Sequence, residues 1–160
     1  MSEDTLLATL LDQERRLQFD HFDNDVAFAV GMALVTRGRD AKLPITVDVT
    51  RTQQQLFHVA LTGTSADNDH WVRRKNAVVY RFGHSSFYIG TQCRQRGKSM
   101  EEMFLVDPRH FAAHGGAFPV IVKSAGLIGT ITVSGLPQEE DHRMVVEAID
   151  GYLTGTRKAS

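Results

Sequence analysis

Residues His114 to His142 read H-G-G-A-F-P-V-I-V-K-S-A-G-L-I-G-T-I-T-V-S-G-L-P-Q-E-E-D-H. Two apolar runs, Phe118–Val122 and Leu127–Val133, flank the turn Lys123-Ser124-Ala125-Gly126. Gly115-Gly116 precedes the first run and Ser134-Gly135 follows the second, after which Glu139, Glu140 and Asp141 open a helix whose positive end they complement. The pattern predicts a β-hairpin framed by pliable backbone, with a histidine near each end. Such a frame can hold a ligand against a sheet, but it does not name one.

Upstream, Leu6, Leu7, Leu10, Leu11 and Leu17 fit one helical stripe, with Glu14, Arg15 and Arg16 on the exposed side. A second helix is expected after Asp23. Its body, Val26 to Val35, is apolar nearly all round and so needs cover on most sides, from the sheet, other helices or a second subunit. Ile45, Val47 and Val49 alternate with Thr46, Asp48 and Thr50, which predicts a strand with one buried face. Gln55–Thr62 forms its hairpin partner. Asp67–Phe82 reads as a third helix, Ser85–Gln95 as a further helical piece, and Asp107-Pro108 as the start of a short turn carrying His110. The order is α-α-β-β-α-α-β-β-α. Short hairpins imply antiparallel pairing, and grouped elements point to the α+β class.

With 160 residues and 42% hydrophobic content, the chain suits a single domain over 1–160, with an ordered core of about 5–153 and a loose tail from Thr154. The formal charge of -1 predicts no electrostatic pull toward nucleic acid or anionic membrane. No run approaches the ~18 apolar residues of a membrane span. The single cysteine, Cys93, excludes an internal disulfide and a cysteine-rich zinc site. The acidic start, Met1-Ser2-Glu3-Asp4, is unlike a signal peptide, so a cytoplasmic protein is expected.

No self-sufficient catalytic motif occurs. His110 and His114 are four apart, but Gly115-Gly116 interrupts the helix they would share and the glutamate of H-E-x-x-H is missing, so no metal site is assigned. His142 borders the stripe Val145, Val146 and Ile149, and reads either as a ligand or base beside a pocket or as a satisfied histidine at a subunit contact. Lys75 falls in the middle of the face formed by Trp71, Val78 and Phe82. A lysine there must snorkel, pair with an acid, or, with Arg74 at the stripe's edge, anchor an anionic group. Gly129 inside a strand predicts a close neighbour to its backbone.

Four elements taken together resemble the haem-degrading domain family. They are W-x-x-R-K (Trp71, Arg74, Lys75), the serine pair Ser85-Ser86, and the His114–Pro119 and Ser134–His142 segments. That family includes bacterial haem-binding sensor proteins and a small protein of glycolate-utilisation operons, and the chain looks most like its uncharacterised cytosolic branch. The resemblance covers roughly residues 5–153. It implies a profilin-like sandwich on an antiparallel sheet, a homo-oligomer built of dimers, and a ligand site at Trp71, Arg74, Lys75, Ser85, Ser86, His114, Gly115, Gly116, Phe118, Pro119, Ser134, Gly135, Gln138, Asp141 and His142. Haem or another planar anionic compound is the expected ligand. An enzyme acting on a small carboxylate or phosphorylated metabolite, and a scaffold protein without a small-molecule site, are the alternatives. A pocket too small for a porphyrin but lined by these groups would favour the enzyme.

Overall fold

The computed structural model describes residues 1–159, except the side chains of Arg157 and Ala159. Helix α1 spans Glu3–Arg16 and α2 spans Asn24–Asp40. Strands β1 (Thr46–Arg51) and β2 (Gln54–Ala60) follow, then α3 (Ala66–Phe82), α4 (Ser86–Gln95) and the short α5 (Met100–Phe104). Strands β3 (Ala117–Val122) and β4 (Gly126–Ser134) precede α6 (Gln138–Ala159). The class is α+β and the element order is the expected one, with α5 added. Helix α6 continues past Leu153, so residues 154–159 are helical where the composition suggests a loose tail; Ser160 lies outside the described residues.

All pairings in the sheet β2-β1-β4-β3 are antiparallel. Thr52 and Gln53 both take positive φ, 44° and 70°, so the first hairpin closes through a two-residue turn that follows the strand twist. The second closes through Lys123-Ser124-Ala125, and Gly126 supplies the left-handed position at φ 84°. Val47 lies opposite Val133 and Val49 opposite Ile131. These side chains pack with Val30 and Leu34 of α2 and with Met144, Val145 and Ile149 of α6. Burying each such side chain contributes about 1.5–3 kcal/mol. Gly31 lets Phe57 lie against the α2 backbone, since a Cβ there would sit 2.5 Å from the ring. Gly129 does have a close neighbour: a Cβ there would lie 2.1 Å from the Thr50 carbonyl oxygen of β1.

Alternation along β1 assigns burial to one sheet face only. The opposite face is buried as well, and it is polar. Thr46, Asp48, Thr130, Thr132 and Ser134 are all at most 3% exposed, because α3 crosses over them. A buried polar layer is stable when most of its groups, above all the charged and amide ones, are partnered. Asp48 accepts from Thr50 and Gln55 (2.8 Å each), and Asn76 accepts from Thr132. His58 bridges Asp48 (2.9 Å) and Asp69 (2.8 Å), tying the edge strand β2 to α3. A small second core, Val78, Ile89, Cys93, Met100 and Val106, joins α3 to α4 and α5.

Glu14 is buried rather than exposed. Its carboxylate accepts from the Ser85 N–H (2.7 Å) and pairs with His84 (2.7 Å), which fixes α1 against the α3–α4 junction.

Candidate functional site

Helix α3 begins at Ser65, whose N–H donates to Asn68 Oδ1 (2.9 Å), and ends at Gly83 in the left-handed conformation. Between these limits its i, i+4 spacing puts Asp67, Trp71 and Lys75 on one side, facing the end of β4. Asp67, Asn68, Trp71, Lys75, His114, Ser134, Gly135, Leu136, Gln138 and Asp141 line a cavity of about 290 Å³ that is partly open to solvent. The cation-bearing helix α3 and the glycine-bordered end of β4 thus meet at a small polar void.

Lys75 is 3% exposed. It does not snorkel; its Nζ donates to Asp141 Oδ2 (3.1 Å) and to the Val133 carbonyl (3.2 Å). An ammonium has three donors, so one N–H has no protein partner among the described residues. Burial pulls Lys75 below its usual value, against the opposing pull of Asp141. Burial likewise pushes Asp141 up, against Lys75 and the N–H groups of Leu136 and Gly135 that donate to it at 3.0 and 3.3 Å. Gly116 (φ 138°) makes room for this pair: a Cβ there would lie 2.7 Å from Nζ and 2.3 Å from the Val133 oxygen. Gly115 N–H donates to Gln138 Oε1 (3.1 Å), joining the two glycine-bordered segments.

His114 stands at the cavity mouth, edge-on to Trp71 with ring centroids 5.2 Å apart. Desolvation, then the charges of Lys75, Arg74 and Arg94, hold its pKa below 6.5, so the imidazole is neutral at pH 7.

Gly115 and Gly116 support the cavity through their backbones, and the other expected residues missing from its lining lie further off. Arg74 stacks 4.6 Å over the indole and donates from Nε to the Pro108 carbonyl (3.1 Å), so it braces Trp71. Ser85 caps α4 through its hydroxyl, and Ser86 Oγ accepts from the Ala117 N–H (3.1 Å) at the start of β3. Phe118 belongs to the main core and Pro119 to the buried run of β3, so neither is a pocket wall. His142 is 5% exposed. Its Nε2 lies 2.7 Å from Gln13 Oε1 and its ring leans on Phe87, 5.1 Å between centroids. It faces the packing between α1, α4 and α6 rather than the cavity, because it sits one residue past Asp141 and so is turned about 100° along the helix.

Asp67 and Asn68 line the cavity although no motif marks them, and Leu136 lines it from inside the Ser134–His142 segment. Asp67 and Asn68 stand one turn before Trp71 on the same helix, which is the one signal the sequence offers. The Asp48–His58–Asp69 network has no such signal. Its members come from three elements and share no local spacing. Among the described residues no group of three or more His, Cys, Asp or Glu has the arrangement to hold a metal. Haem fits poorly as well. The imidazole that lines the void, His114, is at the mouth. The void itself, about 290 Å³, is at the lower limit of the roughly 300–1,000 Å³ typical of clefts for drug-sized ligands.

The family profile of the haem-degrading protein HbpS-like group matches residues 22–150. The chain belongs to the HbpS-like family. Within that family it is 49% identical over 147 residues to a UPF0303 protein of Streptomyces coelicolor, covering 92% of this chain and 93% of that one. A UPF0303 protein of Rhizobium meliloti is 42% identical, over 96% of this chain and 93% of the relative. The crystal structure of the Ybr137w protein superposes with a TM-score of 0.86 at 34% identity, covering 94% of this chain and 88% of that one. The crystal structure of a PduOC:heme complex shares the fold at a TM-score of 0.63 and 16% identity, covering 78% of this chain and 89% of that one. No helix among the described residues of this HbpS-like chain is long and apolar enough to cross a membrane.

Proposed function

We propose that this HbpS-like protein binds a compact, oxygen-rich metabolite of the carboxylate or phosphate class in the cavity between α3, β4 and the start of α6. The observation that carries this reading is the buried Lys75 ammonium, which lines a void of about 290 Å³ with one donor left for a ligand oxygen. The void's size weighs against an enclosed porphyrin and for a small metabolite. His114 shares the cavity in its neutral form, so it can take a proton from a bound ligand, which is the enzymatic extension of the reading. Trp71 is the only tryptophan and reports on occupancy. Titration with oxalate, lactate and inorganic phosphate should give a saturable change in its fluorescence with at least one of them. Lys75→Met should weaken that binding about tenfold or more, the worth of one hydrogen bond from a charged donor. Unchanged affinity in the variant removes the anchoring role.

A second reading, haem held edge-on at the mouth by His114, is favoured by the accessible neutral imidazole and by the haem bound to a protein of the same fold. It predicts a Soret shift on haem addition that disappears in His114→Ala and is unaffected by His142→Gln. A shift that survives His114→Ala rejects it.

We further propose a cytoplasmic homo-oligomer. Phe28 is 60% and Met32 38% exposed, and with Ala29 and Ala33 they form an outer apolar stripe on α2 that this chain does not cover. The cytoplasmic placement is supported by a lone, buried Cys93. Light scattering should give a mass above one 17.8 kDa chain, and Phe28→Lys with Met32→Lys should reduce it. A monomeric wild type excludes self-association through this stripe.

A further inference from the structure

We propose that Lys75 is a nucleophilic amine that captures small carbonyl compounds, aldehydes or 2-oxo acids, as an imine at Nζ. This rests on the ligand-binding reading of the same cavity and assigns it a chemistry. A lysine amine can form a covalent intermediate when three conditions meet: a desolvated amine, open approach for the carbonyl carbon, and a proton carrier in contact. Each is present here. Lys75 is 3% exposed yet lines the cavity, so its amine is held away from bulk water but within reach of a bound molecule. The approach is open because Lys75 lines the cavity, while Gly116 leaves room for Nζ itself, a side chain there beginning 2.7 Å from it. The proton carrier is Asp141 at 3.1 Å, itself held by the backbone N–H groups of Gly135 and Leu136.

A purely structural role explains less. A buried ion pair contributes little more to stability than well-packed apolar side chains of similar volume. Nor would it need a cavity beside the ammonium. Burial displaces both partners toward their uncharged forms, Lys75 downward and Asp141 upward. Proton transfer between them is therefore easier than between the same groups in water.

The sequence of bond changes is balanced without any oxidant or reductant. Nζ gives one proton to Asp141 Oδ2 and becomes an amine that still donates to the Val133 oxygen. Its lone pair attacks the carbonyl carbon, the carbonyl π electrons move to oxygen, and Nζ loses a second proton to the neutral imidazole of His114 while Asp141 protonates the alkoxide. The resulting carbinolamine hydroxyl takes the proton from His114 and departs as water, leaving an iminium paired with the Asp141 carboxylate. The imidazole and the carboxylate end as they began.

The test uses the whole protein, incubated with pyruvate or propionaldehyde and cyanoborohydride, followed by peptide mass mapping. The chain has five lysines, and Lys42, Lys98, Lys123 and Lys158 are exposed controls. The expected result is preferential labelling of the peptide carrying Lys75, with loss of that labelling in Asp141→Asn at a temperature where circular dichroism shows the variant folded. In Lys75→Arg the label on that peptide should vanish while the four exposed lysines are labelled as in the wild type. Labelling confined to the four exposed lysines overturns the proposal. If lactate binds the wild type and neither carbonyl compound is trapped at Lys75, the imine chemistry falls and the binding reading stands. If nothing binds and nothing is trapped, both fall.

Discussion

Replacing Asp141 by alanine will destabilise the fold by about 3–5 kcal/mol, read as a lower urea midpoint at an unchanged m-value. Two losses contribute. The Gly135 and Leu136 N–H groups lose their acceptor, which costs about 1 kcal/mol each. The larger effect is the Lys75 ammonium, left 3% exposed with only the Val133 carbonyl as partner. The two can be separated. Adding Lys75→Met to Asp141→Ala removes the uncompensated charge but not the unpaired amides, so the double variant should recover more than half of the loss. A double variant no more stable than Asp141→Ala would show that the unpaired amides, not the buried charge, cause most of the destabilisation.

Acidification from pH 6.5 to about 4 will remove about 3 kcal/mol of stability through His142 alone. Burial drives its pKa down from 6.5 to about 4, because the ring lies among Phe87, Phe118 and Gln13 rather than beside a carboxylate that would stabilise the charged form. Across that interval the unfolded chain binds a proton at this position and the folded chain does not. Stability therefore rises with pH and is lost as pH falls, by about 1.4 kcal/mol per pH unit at most. His114 shifts in the same direction and adds to the slope, whereas His84, raised by Glu14, contributes stability at low pH that is lost as pH rises through its folded value. Urea unfolding of the wild type and His142→Gln at pH 7, 5.5 and 4 isolates the share of His142. The two curves should converge at low pH relative to their separation at pH 7, and parallel curves would exclude the effect.

Much of the architecture is legible in the sequence because it depends on local period. The periodicity places the third helix at Asp67–Phe82, and it spans Ala66–Phe82, with Gly83 ending it in the left-handed conformation. Both hairpins are legible from alternation and turn residues. The short helix Met100–Phe104 is not, because five residues carry too little periodicity. The candidate site is half legible. Trp71, Lys75, His114, Ser134, Gly135, Gln138 and Asp141 do meet around one void. Phe118 and His142 group with them only because they are neighbours in sequence. A one-residue step along a helix or strand turns a side chain to another face, and motif proximity cannot resolve that. Ser85 and Ser86 differ again, since they cap α4 and anchor β3 and so support the site from outside.

The sequence by itself determined most of the secondary structure, the antiparallel α+β class and the family, because these follow from short-range periodicity and from motifs that stay contiguous along the chain. Only the tertiary structure decided that the sheet's polar face is covered, that Lys75 pairs with Asp141 sixty-six residues away, and that the void beside them is about 290 Å³. Alternation reveals that a strand has two faces, but what lies on the second face depends on where a distant helix packs. Charge pairing and cavity volume are properties of that packing and leave no trace in local spacing.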